Sequence, residues 1–375
     1  MPKQNAPMKA VILVGGEGTR LRPLSYYVPK PMVPVLNQPF LEHTIANLKK
    51  YGIDCFILAA SHLPEVIQNY FGDGAESGIQ LTYCVEQSPL GTAGGVKNAE
   101  RYLDSTFVVL NGDIFTDLDI DDMLAFHRRK RAKATIALTL VDNPCAFGVV
   151  ETDSDGRVRC FIEKPSLDRV TSHWINAGFY ILEPEVLRYV PPGSHYMFER
   201  GLFPLLLELG EPVYSYPISN YWLDMGTPEK YFQLNCDLLM SKAKSALKED
   251  LREDGTYCGE DVFIHSKAEI AGPALIGNGC KIGQGVYVKG PVVIGQDCHV
   301  EEGASIETAV LWNGVRVGGG ASLKQCIVGS NAKIEGNERV INRVVTAEQI
   351  AAVTVEDLGD SPYQGTCLLK LGLPV

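Results

Sequence analysis

The chain has 375 residues, a hydrophobic fraction of 45%, a charged fraction of 21% and a formal net charge of −11. At roughly 100–200 residues per domain, that length implies two domains or three, each long enough to bury its own core. The acidic balance excludes a general binder of nucleic-acid backbones, no stretch approaches the roughly 20 apolar residues of a membrane span, and the run Ala10–Val14 is too short for a signal core.

In chain order, Lys9-Ala10-Val11-Ile12-Leu13-Val14 reads as a buried strand running into glycines. Leu41, Ile45 and Leu48 recur at helical spacing, and Gly52 stops that helix. Cys55 to Ala60 is a second buried strand, and Pro64 suits the first turn of the helix behind it. Phe107 to Leu110 is a third, followed by a helix through Met123, Leu124 and His127. Alternating strands and helices imply a Rossmann-like, mostly parallel sheet with helices on both faces, whose ligands bind beyond the carboxyl ends of the strands. Tyr231, Leu234, Leu238 and Leu239 then fit one face of a helix that leads into a connector.

The period changes in the second half. From Ile264 an aliphatic returns at every sixth position, through Ile270, Ile276, Ile282, Val288, Ile294, Val300 and Ile306, with small or slim residues such as Ala274, Cys280 and Ala304 two places before. Hexapeptide repeats of this kind mark a parallel β-helix, with the repeated aliphatic pointing inward and the coils stacked. The phase slips near Trp312, and Ile327, Ile334 and Val340 form a weaker echo. From about Val355 no pattern remains. The expected domains are a catalytic domain over 8–235, a helical connector over 236–258, the β-helix over 259–345 and a tail over 346–375.

The ten cysteines include no C-x-x-C pair, so buried free thiols in a cytoplasmic protein are expected rather than zinc ligands. Arg128-Arg129-Lys130-Arg131 follows a helix, where cations suit the dipole, and reads as a solvated helix end. His265 and His299 occupy variable positions of the repeat, which argues against an acyltransferase base there.

The first strand runs into Gly15-Gly16-Glu17-Gly18-Thr19-Arg20. A glycine-rich turn after a strand is either a plain tight turn or a loop whose N–H groups approach phosphate oxygens. It is not a P-loop, which needs Gly-Lys-Ser/Thr, nor a dinucleotide fingerprint, whose third glycine is replaced by Leu21. Arg20 can offer a charge-assisted fork to a transferring phosphoryl group, and Lys30-Pro31 follows shortly after.

With Pro89-Leu90-Gly91-Thr92-Ala93-Gly94, Asn111-Gly112-Asp113, Phe147-Gly148-Val149-Val150, Glu163-Lys164-Pro165, Asn176-Ala177-Gly178 and Trp222-Leu223-Asp224-Met225-Gly226-Thr227 in that order, the chain resembles the sugar-phosphate nucleotidyltransferases, most of all the GDP-mannose pyrophosphorylases. The resemblance covers almost the whole length and implies a left-handed β-helix after the catalytic domain. It implies attack by a sugar 1-phosphate oxygen on the α-phosphorus of a nucleoside triphosphate, with pyrophosphate leaving. It places Arg20, Lys30, Asp113, Lys164 and Asp224 in catalysis, with Asp113 and Asp224 holding Mg2+. It assigns Leu13, Gly15, Gly16, Gly18, Thr19, Arg20, Glu86, Gly91 and Thr92 to the nucleotide. Gly112, Gly148, Glu163, Lys164, Asn176 and Gly178 fall to the sugar phosphate.

The base follows from Glu86, which aligns with the family segment that meets the base edge. Guanine presents N1–H and an amine side by side, and an acceptor-only carboxylate can take both, whereas a thymine or uracil edge would be repelled. GTP and mannose 1-phosphate are therefore the favoured substrates, in a homo-oligomer whose β-helix is structural. dTTP or UTP with glucose 1-phosphate remains the alternative. A non-catalytic regulatory paralogue is a further one, and is opposed by the presence of Arg20, Lys30, Asp113, Lys164 and Asp224 together.

Overall fold

The structure, a computed structural model, describes residues 8–244 and 255–347, and the backbone of 369–370. The chain forms two compact units. One comprises Met1–Glu17, Pro29–Met32 and Thr44–Asp224, and the other Gly18–Val28, Val33–His43 and Met225–Val375.

In the first unit, strands Gln80–Val85, Cys55–Ala60, Lys9–Leu13 and Phe107–Asn111 lie side by side and parallel. The apolar runs of Cys55–Ala60, Lys9–Leu13 and Phe107–Asn111 are buried on both faces, as inner parallel strands require, while Gln80–Val85 at the edge is mostly half-buried or exposed. The register sets Leu13 opposite both Ala59 and Asn111, so three strands end level at one rim of the sheet. Beyond Phe107–Asn111 the pairing turns antiparallel through Trp174–Leu182 to Gly148–Thr152 and Val158–Glu163. The last two strands are separated only by Asp153–Arg157, too short for a crossover helix, and the hairpin dictates their sense. Ala134–Leu140 pairs with Trp174–Leu182 on one side and parallel to Val213–Pro217 on the other.

The predicted helices form at Phe40–Lys49 and Pro64–Phe71. A third, Ile120–Lys130, starts where the Asp119 carboxylate accepts the Asp122 N–H at 3.1 Å. Arg128, Arg129 and Lys130 lie in its last turn rather than after it. One core joins Val11, Ile57, Val109 and Tyr180 to Phe198 and Phe203.

In the second unit, Thr256–Val345 winds into parallel coils with three ladders of short strands. Ile276, Ile282, Val288, Ile294, Val300 and Ile306 are buried together in its interior, as the repeat requires. The phase slip has a defined place. Tyr287 pairs with Ser305, eighteen residues on, but Val292 pairs with Ala309, seventeen on. One residue is lost at the corner, where Thr308 takes φ 49° in place of Gly290-Pro291. Later coils keep seventeen, pairing Ser305 with Ser322 and Ser322 with Arg339. Val317, Leu323 and Val328 consequently face the interior, and Ile327, one place out of phase, joins Leu275, Val293 and Val310 in a buried row outside that interior cluster.

Helix Pro228–Leu239 belongs to this unit. The indole N–H of Trp312 donates to the Tyr231 hydroxyl at 2.8 Å, which donates to Pro34 O at 2.6 Å. Residues 245–254 of the expected connector, and 348–368 and 371–375 of the tail, lie outside the described residues.

Candidate active site

A cavity of about 330 Å3 opens at the level strand ends of the first unit. Leu13, Gly15 and Gly16 enter it from the first strand, and Asn111, Gly112 and Asp113 from its neighbour. Glu86 follows strand Gln80–Val85, while Gly91 and Thr92 open helix Gly91–Asn98. Gly112 has a specific reason to be glycine, since a Cβ there would stand 2.5 Å from Leu13 O. The strands can then close at the rim, with the Gly112 N–H donating to that same oxygen at 2.9 Å.

Lys30 is buried, at 7% exposure, and its ammonium lies 2.6 Å from Asp113 Oδ2 and 3.8 Å from Asp224 Oδ1. The two aspartates meet because strand Trp222–Asp224 pairs antiparallel with Ile114–Thr116, with Asp224 opposite Ile114. Two carboxylates converging on one cation form a hard oxygen donor set that fits a divalent ion such as Mg2+. Among the described residues no three or more His, Cys, Asp or Glu side chains converge, so water or substrate phosphate oxygens would complete the coordination.

Beside strand Gln80–Val85, Glu86 Oε2 accepts the Leu90 N–H at 3.0 Å. Burial pushes the Glu86 carboxyl above the usual carboxylate range, against the Leu90 N–H and the nearby His195, which lower it. His195 reaches the cavity because the Tyr196 N–H donates to Leu90 O at 2.8 Å and Tyr196 O accepts the Gly94 N–H at 2.9 Å. Gly91, at φ 72°, sits so close to this segment that a Cβ would stand 2.8 Å from Tyr196 O.

The expected sugar-side residues form a second cluster. Gly148 and Glu163 are directly opposite in the hairpin, and a Cβ on Gly148 would stand 2.9 Å from Glu163 Oε2. Lys164 has φ 49°, a left-handed backbone unusual for a lysine, and its N–H donates to Phe147 O at 2.9 Å. Its side chain is exposed, with Nζ 3.8 Å from Glu163 Oε1. Trp222 ties the cluster together: its ring meets Phe147 edge to face at 5.7 Å and its indole N–H donates to Ala177 O at 2.8 Å. Asn176 donates to the Tyr180 hydroxyl at 2.8 Å and accepts the Gly178 N–H at 3.0 Å. Gly178, at φ 71°, abuts Asn111.

Of the expected residues, the cavity wall thus unites Leu13, Gly15, Gly16, Lys30, Glu86, Gly91, Thr92, Gly112 and Asp113. Asp224 stands behind it against Lys30. Gly148, Glu163, Lys164, Asn176 and Gly178 lie outside that wall. Gly18, at φ 64°, Thr19 and Arg20 belong to the second unit, where Thr19–Leu21 is a short 3-10 turn and Arg20 is exposed. Sequence reasoning gave no role to Ser61, whose hydroxyl donates to Gly15 O, or to His195 and Glu199. Asn111 stood in a quoted motif, directly before Gly112-Asp113, and could have been found from that position. Its Oδ1 is buried without a hydrogen-bond partner.

The Nucleotidyl transferase family matches residues 9–241, and the EIF2B subunit epsilon LbH domain matches residues 253–355. A mannose-1-phosphate guanylyltransferase of Mycobacterium tuberculosis is 40% identical over 319 residues, 84% of this chain and 83% of its own. A UTP–glucose-1-phosphate uridylyltransferase of Synechocystis sp. is 36% identical over 369 residues, 92% of this chain and 95% of its own. Among solved structures, HddC from Yersinia pseudotuberculosis complexed with GMP-PN is similar with a TM-score of 0.53 and 30% identity, covering 61% of this chain and 98% of that one.

Proposed function

The chain belongs to the nucleotidyl transferase family, and from that premise we propose that it transfers a guanylyl group from GTP to mannose 1-phosphate, giving GDP-mannose and pyrophosphate. The observation that carries the choice of base is the Glu86 carboxylate on the cavity wall, one turn from the helix that Gly91 opens. Oε1 and the remaining lone pair of Oε2 can accept from N1–H and the N2 amine of guanine. Gly15 and Gly16 let the backbone approach the phosphates. The Glu163 carboxylate orients sugar hydroxyls, with Asn176 and Gly178 beside it, and the exposed Lys164 takes the sugar phosphate.

A divalent metal is common in nucleotidyltransferases of this kind. Here Asp113 and Asp224 would hold Mg2+, which would supply charge neutralisation where two anions meet. Lys30 then balances the paired carboxylates from within the protein and keeps them close at rest. The nine described cysteines are free thiols, which suits a reducing compartment, and the enzyme is assigned to the cytoplasm as a homo-oligomer. No helix among the described residues is long and apolar enough to cross a membrane.

The test is pyrophosphate release with GTP, dTTP, UTP, ATP and CTP, each crossed with mannose 1-phosphate and glucose 1-phosphate in the presence of Mg2+. A preference for GTP and mannose 1-phosphate supports the reading. A preference for UTP or dTTP with glucose 1-phosphate keeps the transfer chemistry and removes Glu86 from base selection; the Synechocystis relative makes that the second reading. No release with any pair would support a non-catalytic role.

A further inference from the structure

A buried carboxylate outside the cavity wall joins the two halves of the site. Glu199 is 8% exposed and lies in the π-helical turn Phe198–Leu202, just before helix Phe203–Glu208. Pro204 has no N–H to donate back to the preceding turn, and the Leu202 N–H reaches Met197 O at 3.1 Å, five residues back. That widened turn aims Glu199 inward. Its Oε2 accepts the Thr92 hydroxyl at 2.9 Å. The Thr92 oxygen itself accepts the Phe198 N–H at 2.9 Å, so its single proton is committed to Glu199.

On the other side the fully buried Tyr180 hydroxyl lies within electrostatic reach of the Glu199 carboxylate. Because that hydroxyl accepts from Asn176 Nδ2, its own proton is not committed to Asn176 and can face Glu199. Tyr180 thus stands between the Asn176 amide, from which it accepts, and Glu199, to which Thr92 donates from the opposite end. It also settles the Asn176 amide, whose Oδ1 is held by the Gly178 N–H and whose second Nδ2 proton is left for a ligand.

We propose that Glu199 is a positioning residue that orients Thr92 for the nucleoside triphosphate and Asn176 for the sugar 1-phosphate at the same time. The inference rests on the nucleotidyl-transfer reading above and adds the coupling of its two substrate sides. Two further features agree with it. Burial pushes the Glu199 carboxyl up, and Thr92 and Tyr180 oppose that rise, so their contacts favour the anion that accepts from them. Glu163 faces it with like charge and is itself faced by Lys164 and Arg200, so a sugar phosphate bound beside Glu163 is felt at Glu199.

The experiment is steady-state pyrophosphate release by the full chain, with KM determined separately for each member of the preferred substrate pair. Glu199→Gln is expected to raise both KM values, each about tenfold, the loss attached to a hydrogen bond with a charged partner. Tyr180→Phe keeps the buried ring and cuts only the Asn176 arm, so it raises the sugar 1-phosphate KM alone. Thr92→Val raises the triphosphate KM alone. Tyr180→Phe added to Glu199→Gln costs nothing more on the sugar side, as neighbouring groups that act together are non-additive. Glu199→Gln with both KM values within twofold of wild type and only a lowered melting temperature overturns the proposal. Should Glu199→Gln fail to fold, Tyr180→Phe with an unchanged sugar 1-phosphate KM overturns it instead. A wild type inactive with every pair overturns the underlying reading, a result separable from either of these.

Discussion

Asp113 and Glu86 carry the two sharpest residue-scale expectations. Asp113→Asn keeps the size of the side chain and removes one charge from the pair around Lys30. If Asp113 holds the metal, turnover falls by roughly 100-fold or more, several kcal/mol at 1.36 kcal/mol per decade. The fold survives, because Asp113 lies at the rim and not in the core. A wild-type rate with ordinary Mg2+ dependence removes it from that role. For Glu86, burial raises the pKa. As pH falls, it takes up a proton while an ordinary carboxylate is still ionised, and the protonated form no longer accepts twice from guanine. The KM for GTP should therefore rise on acidification from above the usual carboxylate range, while Glu86→Gln flattens that acid limb. A bidentate base contact is worth about 1–3 kcal/mol, so Glu86→Gln should cost roughly tenfold to 100-fold in discrimination for GTP over dTTP and UTP. An acid limb unchanged in the variant would exclude Glu86 as its source. The types of these residues were legible in the motifs, but their state was not. Lys30 reads in sequence as a phosphate cation, and only folding brings it to Asp113, eighty-three residues away.

At the scale of elements, the level strand ends do most to build the site. Gly112→Ala places a Cβ 2.5 Å from Leu13 O and 2.9 Å from Val14, so the rim must open and Asp113 must shift. Displacements of about 1 Å can cost roughly 100-fold in rate, so the expected outcome is a large loss of kcat/KM with a small change in melting temperature. Equal loss of both would mean that the glycine serves the fold alone. The hexapeptide repeat was readable because every coil obeys the same interior constraint and one phase accounts for many residues. Its slip was readable too, but not its cause, a corner shortened by one residue at Thr308. The antiparallel half of the catalytic sheet was missed for a related reason. Strand periodicity shows burial, whereas strand direction depends on the length of the connection, here only Asp153–Arg157 between two strands.

For the whole molecule, the β-helix bears exposed Phe263, Tyr287 and Ile341, large apolar side chains on a stack with open strand edges. A homo-oligomer is the expected state, and light scattering that returned a monomer mass of 41.0 kDa would refute it. The division of the chain follows a rule that linear reading does not contain. The segments Gly18–Val28 and Val33–His43 group with the far C-terminal half, where the Leu36 N–H donates to Asn235 Oδ1 at 2.9 Å and Asn37 Nδ2 donates to Ile294 O at 2.8 Å. By itself the sequence determined whatever repeats or stays local: the buried strands, the stacked coils, the glycine turn and the residue types of the chemistry. These depend on periodicity and backbone freedom within a few residues. The tertiary structure alone decided which side chains share a charge, a hydrogen bond or a unit, such as Lys30 with Asp113 and Asp224, or Thr92 with Glu199. Those pairings arise from burial that brings distant segments together, and no local spacing encodes them.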